Sequence, residues 1–133
     1  MSIVFEHKVI IKEHHLDFIG HVNHATYLQI LEQVRWDLIT ERNYGIDHIK
    51  KMGISPIVLE VNIKYRKELL LRDVVTIKTE TQLSKSKTHY IQQIMYKDDG
   101  EVACSAKIKF GLFDMNLRAL VDADEEWKFA IGV

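Results

Sequence analysis

The hydrophobic pattern changes its period twice along the chain. Residues 3–12, IVFEHKVIIK, are rich in β-branched and aromatic side chains, which predicts a strand. From His24 to about Arg42, apolar side chains recur at intervals of three and four residues, the spacing of one helix face. Asn23 is well placed as the N-cap of this helix, because its short side chain can accept a hydrogen bond from the first turn. The apolar stripe consists of Tyr27, Leu31, Val34 and Leu38, with Ile30 beside them.

After Pro56 the period becomes two, which predicts strands. In residues 57–65 one face carries Ile57, Leu59, Val61, Ile63 and Tyr65. Further strands are predicted over 73–82, 88–97 and 101–113, and the last two form a hairpin across Asp98-Asp99-Gly100. Residues 43–56 are predicted as a loop with room for a short helical turn. Residues 121–133 are predicted as one more strand or a loosely docked end.

The predicted order is a strand, a long helix and four antiparallel strands, an α+β arrangement in a single domain spanning residues 1–133. One helix cannot cover both faces of a five-stranded sheet. The uncovered face would carry Val58, Val74, Tyr90, Ile94 and Tyr96. An apolar patch of this kind usually marks a partner surface, so we expect a homo-oligomer.

Composition narrows the functional classes. With 18 basic and 19 acidic residues, the formal net charge of -1 gives no electrostatic case for binding nucleic acid. A single cysteine, Cys104, excludes an intramolecular disulfide, and no secretory signal is visible, so a cytoplasmic location is expected. No apolar run approaches the roughly 18 residues of a membrane span. The histidines around Asp17 do not match a zinc signature, so no metal is expected.

Polar residues are concentrated where the first strand meets the helix, in LDFIGHVNHATYL. The motif Asp17-x-x-Gly20-x-Val22-x-His24-x-x-Tyr27 opens the long helix ahead of four strands. This combination resembles the hotdog fold, in which a long helix is wrapped by an antiparallel sheet. It specifically resembles the acyl-CoA thioesterases related to 4-hydroxybenzoyl-CoA thioesterase. The resemblance covers about residues 3–113 and includes Tyr27-Leu28 and the pair Glu32 and Arg35.

The chain departs from the family pattern at three places. Many relatives have an acidic or polar residue where this chain has His15, and many have Asn at the position of His24. A proline that is common near Arg66-Lys67 is absent. These departures leave the fold prediction unchanged, but the substrate class cannot be predicted from the family pattern.

The resemblance implies that Asp17 is the catalytic carboxylate, acting as a general base on water or as a nucleophile. The alternative is that Asp17 only caps a turn. Backbone amides of the first helical turn, near His24 and Ala25, are predicted to stabilise the oxyanion, because they lack partners within the helix and lie at its positive end. Asn23 is first a cap, although plant acyl-carrier-protein thioesterases resemble this run and use its polar residues in catalysis. His21 is predicted to orient Asp17, to line the site or simply to pack in the loop.

Other residues are candidates for binding substrate. Gly20 is predicted to adopt a positive φ or to let substrate approach the backbone, and Tyr27 to form core or pocket wall. Glu32 is a rival catalytic carboxylate, but an ion pair with Arg35, three residues later, is the preferred interpretation. The phosphates of coenzyme A would be held by cations at strand ends, unless these are only solvated loop charges. The candidates are Arg66, Lys67, Lys85 and Lys87.

The resemblance therefore predicts hydrolysis of an acyl-CoA thioester in a site between two protomers of a homodimer or homotetramer. No cofactor is expected beyond the coenzyme A of the substrate. The alternatives are a thioesterase acting on acyl-carrier protein, and a non-catalytic acyl-CoA-binding module. A hydratase is disfavoured because its usual Asp and His arrangement is not found. The sequence does not define the acyl group.

Overall fold

The structure, a computed structural model, describes residues 2–133 as three helices against an antiparallel sheet. The helices are α1 (His24–Glu41), α2 (Ile46–Met52) and α3 (Glu125–Ile131). The strands are β1 (Phe5–Ile10), β2 (Ile54–Tyr65), β3 (Val74–Gln82), β4 (Thr88–Tyr96), β5 (Val102–Asp114) and β6 (Ala119–Val121). A single 3-10 turn, Glu13–His15, follows β1. Within residues 2–133, no helix is both long enough and apolar enough to cross a bilayer.

The sheet has the strand order β1-β3-β4-β5-β2, and β6 pairs with the end of β5. All pairings are antiparallel. Helix α1 packs against the inner face of this sheet through the predicted stripe, whose members are all buried. The inner face of the sheet carries buried apolar side chains at alternating strand positions, such as Val75 and Ile77 on β3 and Ile108 and Phe110 on β5. The predicted α+β architecture is therefore confirmed.

Strand β2 contains a bulge that the alternating pattern did not reveal. The register with β5 shifts between Val58 and Glu60, so Leu59 is the extra residue. Val58 consequently pairs with Phe110, an inner-face residue, and Ile57 pairs with Gly111 on the outer face. The prediction that Val58 faces outward is wrong, because the bulge reverses the alternation on its N-terminal side.

The C-terminal segment is docked as a helix, so neither prediction for residues 121–133, one more strand or a loose end, describes it; β6 ends at Val121. After β6 the chain forms α3, which begins where the Asp124 side chain accepts a hydrogen bond from the Trp127 amide at 2.8 Å. Trp127, Ala130 and Ile131 are buried in the main core. The loop predicted over 43–56 likewise contains α2, a full seven-residue helix that buries Ile49.

The outer face of the sheet is less apolar than predicted. Lys107 lies 4.5 Å from the ring centroid of Tyr90, and Lys78 lies 5.2 Å from that of Tyr96, so both rings are partly covered by cations. Exposed apolar side chains are instead prominent on the edge strand β2, at Val58, Leu59, Val61 and Tyr65. The best candidate for a partner surface is therefore this edge.

Candidate active site

Asp17 is fixed in a tight turn that precedes α1. An antiparallel bridge between Leu16 and Val22 closes the turn. The Asp17 amide donates to the carbonyl oxygen of His21 at 2.8 Å, and the Asp17 Oδ1 accepts from the amides of Ile19 (3.0 Å) and His21 (3.3 Å). Among residues 2–133, no donor is bonded to Oδ2. Asp17 thus does cap a turn, while one carboxylate oxygen stays available.

Gly20 gives this turn its shape. Its φ is +85°, a conformation that other residues adopt only with strain. A Cβ built at Gly20 would meet nothing within 4 Å. Within the chain, Gly20 is therefore required for its backbone conformation, and the space beside it is open.

The first turn of α1 leaves one backbone amide uncommitted. Asn23 is the N-cap, as predicted, and its Oδ1 accepts from the Ala25 amide at 3.0 Å. The Asn23 carbonyl accepts from the amide of Thr26 at 2.9 Å. The Ala25 amide is therefore occupied, which corrects its prediction as an oxyanion donor. Among residues 2–133, no acceptor is bonded to the His24 amide, so this N–H remains for a ligand.

A cleft of about 320 Å³ opens beside this helix end. The structure brings five of the predicted site residues into its lining. The other six are not part of it: Asp17 and Gly20 in the preceding turn, Asn23, Ala25, Lys85 and Lys87. His21 joins the two regions, because its backbone amide donates to Asp17 Oδ1 and its side-chain Nε2 lies 3.2 Å from Glu68 Oε2. The lining residues are His21, Val22, His24, Tyr27, Tyr65, Arg66, Lys67 and Glu68.

Two tyrosines fasten the end of β2 to the start of α1. The Tyr65 hydroxyl donates to the His24 carbonyl at 2.9 Å, and the Tyr27 hydroxyl donates to the Lys67 carbonyl at 3.1 Å. The two rings meet edge to face, with centroids 5.1 Å apart. Burial raises the pKa of Tyr27 to about 12, so its hydroxyl stays protonated at neutral pH. Tyr27 is thus a wall residue, as predicted.

The four predicted phosphate-binding cations lie at two opposite ends of the sheet. The amides of Arg66 and Lys67 both donate to the Ala103 carbonyl, at 2.8 and 3.1 Å, which holds this segment at the cleft. Lys85 and Lys87 lie in the β3–β4 turn, next to the strand end where Thr88 pairs with Gly111. Within one chain, these two lysines are therefore not part of the cleft.

Glu32 and Arg35 do not form the predicted ion pair within the described chain. Arg35 instead points under the helix, where its Nη1 donates to Gln93 Oε1 at 2.8 Å. Gln93 is fully buried and donates to the Leu31 carbonyl and to Thr79 Oγ1, both at 3.2 Å. Burial lowers the pKa of Arg35, and the negative charge of Glu32 partly offsets this lowering. Glu32 itself is exposed.

The fold and the sequence both match known proteins. A model of the thioesterase-like superfamily matches residues 11–131. The chain belongs to this superfamily. It is 29% identical over 120 residues to the long-chain acyl-CoA thioesterase FadM of Escherichia coli strain K12, and this alignment covers 90% of each protein.

Two solved structures extend the match. YbaW from Escherichia coli is 27% identical, with a TM-score of 0.81 over 94% of each chain. SAV2348 from Staphylococcus aureus, solved in complex with CoA, shares the fold at 19% identity, with a TM-score of 0.89 over 98% of this chain and 83% of that chain. The hotdog fold and the thioesterase class predicted from the sequence are confirmed by these matches.

Sequence reasoning missed two residues of the cleft. Tyr65 was predicted only as an apolar position of a strand, and Glu68 was not singled out. Both act through partners more than 40 residues away, since Tyr65 bonds His24 and Glu68 contacts His21. Their only signal in a single sequence is that they flank Arg66-Lys67 at the end of a predicted strand.

Proposed function

We propose that this protein hydrolyses acyl-CoA thioesters, with Asp17 as general base or nucleophile and the His24 amide as oxyanion donor. The observation that carries the proposal is the uncommitted His24 N–H at the start of α1, next to the turn that holds Asp17. The activity of a relative supports it, since FadM is a long-chain acyl-CoA thioesterase. Long-chain acyl groups are therefore the first substrates to test.

In the proposed reaction, the thioester carbonyl oxygen accepts a hydrogen bond from the His24 amide. The negative charge that develops on this oxygen is stabilised by the N–H and by the positive end of the helix dipole. As a general base, Asp17 removes a proton from the attacking water; as a nucleophile, it forms an anhydride that water then cleaves. In the general-base route, the carbon–sulfur bond breaks as the tetrahedral intermediate collapses, and the departing sulfur takes the proton that Asp17 removed from water. In the nucleophilic route, this bond breaks as the anhydride forms, and the sulfur takes a proton from water; cleavage of the anhydride by the resulting hydroxide then restores the Asp17 carboxylate. The His24 amide and Asp17 both belong to the chain, so the proposed reaction uses no metal or redox cofactor.

A homodimer would complete this site. Strand β2 is an edge strand whose outer backbone groups are free to pair with a second copy. Antiparallel pairing of β2 about a twofold axis would place the Tyr65 end of one copy beside the Ile54 end of the other. That end of the second copy also carries the β3–β4 turn with Lys85 and Lys87. The four cations would then lie on one side of the cleft and could hold the phosphates of coenzyme A.

The test is an assay of free thiol released from a panel of aliphatic and aromatic acyl-CoAs. We expect Asp17→Asn to lower kcat by about 10²–10⁴, the usual contribution of acid–base catalysis. Asp47→Asn, in the first turn of α2 and outside the cleft, is the matched control and should retain the native rate. Equal rates for the native chain and Asp17→Asn would reject Asp17 and make Glu32 the next candidate.

The same assay separates the alternative functions. Thiol release from acylated carrier protein but not from acyl-CoA would assign a carrier-protein thioesterase. Binding of acyl-CoA without release of thiol from any substrate would assign a non-catalytic acyl-CoA-binding protein.

A further inference from the structure

A second cavity, of about 290 Å³, lies between the middle of α1 and the edge of the sheet. Most of its lining is apolar, and one cation, Arg35, reaches it. Ligand pockets commonly have this composition, an apolar body with a few placed polar groups. The apolar lining includes Trp36, Ile57, Val58, Ile91, Ile108 and Phe110.

Arg35 has hydrogen-bonding capacity that the described chain does not use. A guanidinium carries five N–H donors, and among residues 2–133 one bond is formed, from Nη1 to Gln93. No ion pair within 4.0 Å among these residues includes Arg35. Leaving a largely buried charge with unpaired donors is costly. An oxygen acceptor that enters the cavity would remove part of that cost.

The cavity and the cleft both lie between α1 and β2, so they follow one another along a groove between these two elements. Leu28, Glu32, Arg35 and Ile39 follow each other at helical spacing on one side of α1, and the last three line the cavity. Leu28 extends this stripe by one turn toward His24, and its side chain is exposed. Opposite the stripe, the inner face of β2 offers Val61, also exposed, between Val58 of the cavity and Tyr65 of the cleft.

The strand register gives the order of features along this groove. Tyr65, in the cleft, pairs with Cys104. Two residues further along the sheet, about 7 Å away, is the row that contains Ala106 and Gln93, the partner of Arg35. The rows of Ile108 and then Phe110 follow, and both residues line the cavity. A chain leaving the cleft would thus meet a cation first and an apolar chamber afterwards.

We infer that Arg35 selects acyl groups that carry a keto or hydroxy oxygen at one position along the chain beyond the thioester carbonyl, with the apolar remainder in the chamber. This inference rests on the proposed function, because it takes the cleft as the place of the thioester. A neutral oxygen is favoured over a carboxylate, since Glu32 at the same cavity opposes a further negative charge. The unused N–H groups of Arg35 are the donors to this oxygen.

The first test uses the native chain and thioether analogues of dodecanoyl-CoA, which cannot be hydrolysed. A series with the ketone at successive carbons, together with the plain chain, is measured by calorimetry. We expect the tightest binding when the ketone lies at one interior carbon of the chain, about tenfold to a hundredfold tighter than the plain chain. A flat profile, as expected if a second subunit fills the donors of Arg35, would overturn the inference.

The second test assigns the preference to Arg35. Arg35→Met should flatten the ketone profile, while Arg72→Met, the same change at an exposed arginine paired with Glu13, should leave it intact. If Arg35→Met fails to fold because Gln93 loses its donor, Arg35→Met combined with Gln93→Leu removes both partners. An unchanged profile in the folded variant would also overturn the inference. The analogues do not react, so they test binding separately from hydrolysis. If the native chain shows the expected ketone preference but releases no thiol from any acyl-CoA, the proposed function is rejected and the inference about Arg35 stands.

Discussion

At the residue scale, the proposed chemistry of the site depends on which backbone amides are already bonded to the N-cap residue. The Asn23 side chain accepts a hydrogen bond from the Ala25 amide, and the Asn23 carbonyl accepts one from the Thr26 amide. The His24 amide is left over, and the Tyr65 hydroxyl binds the carbonyl of the same residue. The peptide units around His24 are thus held on both sides, which orients the free N–H before any substrate arrives. Such preorganisation makes a donor effective in catalysis.

We therefore expect Asn23→Ala to lower both stability and kcat. Loss of the cap should lower the free energy of unfolding by about 1 kcal/mol, and a looser first turn should lower kcat more than it changes KM. Asp124→Ala is the matched control, because it removes the cap of α3, far along the chain from the cleft, at a similar cost in stability. Denaturant unfolding and steady-state kinetics check both variants. An equal loss of kcat in the two would contradict a special role for the first turn of α1.

At the element scale, long periodic elements were predictable and short or irregular ones were not. Helix α1 was predicted to within a residue or two of its ends, because its apolar stripe repeats over 18 residues. Helices α2 and α3 have seven residues each, too few for a period to be distinguished from chance. The bulge at Leu59 leaves no mark in the alternating pattern, so the side of Val58 was predicted wrongly.

The site was predictable where it is local in sequence. The turn of Asp17 and Gly20 and the cap at Asn23 depend on neighbouring residues, and their types alone indicate their conformations. The partner of Arg35 is Gln93, 58 residues away, and it displaces the local pairing with Glu32 that helix spacing favoured. Contacts of this kind depend on the strand register, which a single sequence does not fix.

Helix α3 should contribute strongly to stability through Trp127. This side chain is 2% exposed and makes edge-to-face contacts with Tyr44 and Phe110, at centroid distances of 4.9 and 5.8 Å. Trp127→Ala should lower the free energy of unfolding by about 3–5 kcal/mol. Phe129→Ala, on the exposed side of the same helix, should cost clearly less. Denaturant unfolding measures both variants. Equal losses in the free energy of unfolding would contradict this expectation.

Strand β4 should make stability depend on pH through His89. The ring is buried, and its Nδ1 accepts a hydrogen bond from the Ser84 amide at 3.0 Å. The pKa of His89 is lowered in the folded chain, mainly by burial and to a smaller extent by the positive charge of Lys128. As the pH falls through about 6.5, the unfolded chain therefore binds a proton that the folded chain resists, and stability falls. His89→Asn should show a weaker loss over this range in thermal unfolding, and parallel curves for the two proteins would contradict the assignment.

At the scale of the whole molecule, the sheet ends in an open edge on the same side as the cleft. Strand β2 is 12 residues long and presents Val58, Leu59 and Val61, each 39–48% exposed. A long apolar edge strand invites pairing with another chain, and natural proteins usually protect such edges with charges. Glu60 and Lys64 lie on the outer face, paired with β5 residues, so they leave the inner face of this edge apolar.

Dimerisation through β2 can be tested by placing a charge on the bulge. If the chain dimerises through β2 as proposed, Leu59→Lys should shift the equilibrium toward monomer, because a lysine at the edge opposes strand pairing. It should also lower thiol release, since the proposed site takes Lys85 and Lys87 from the second copy. Leu117→Lys, at an exposed position in the β5–β6 turn, is the control and should change neither property. Sedimentation velocity and the thiol assay, each run over a range of protein concentrations, check both variants. A native chain that is monomeric at concentrations where it is fully active would show that the site is complete within one chain, and it would assign the exposed edge of β2 another role.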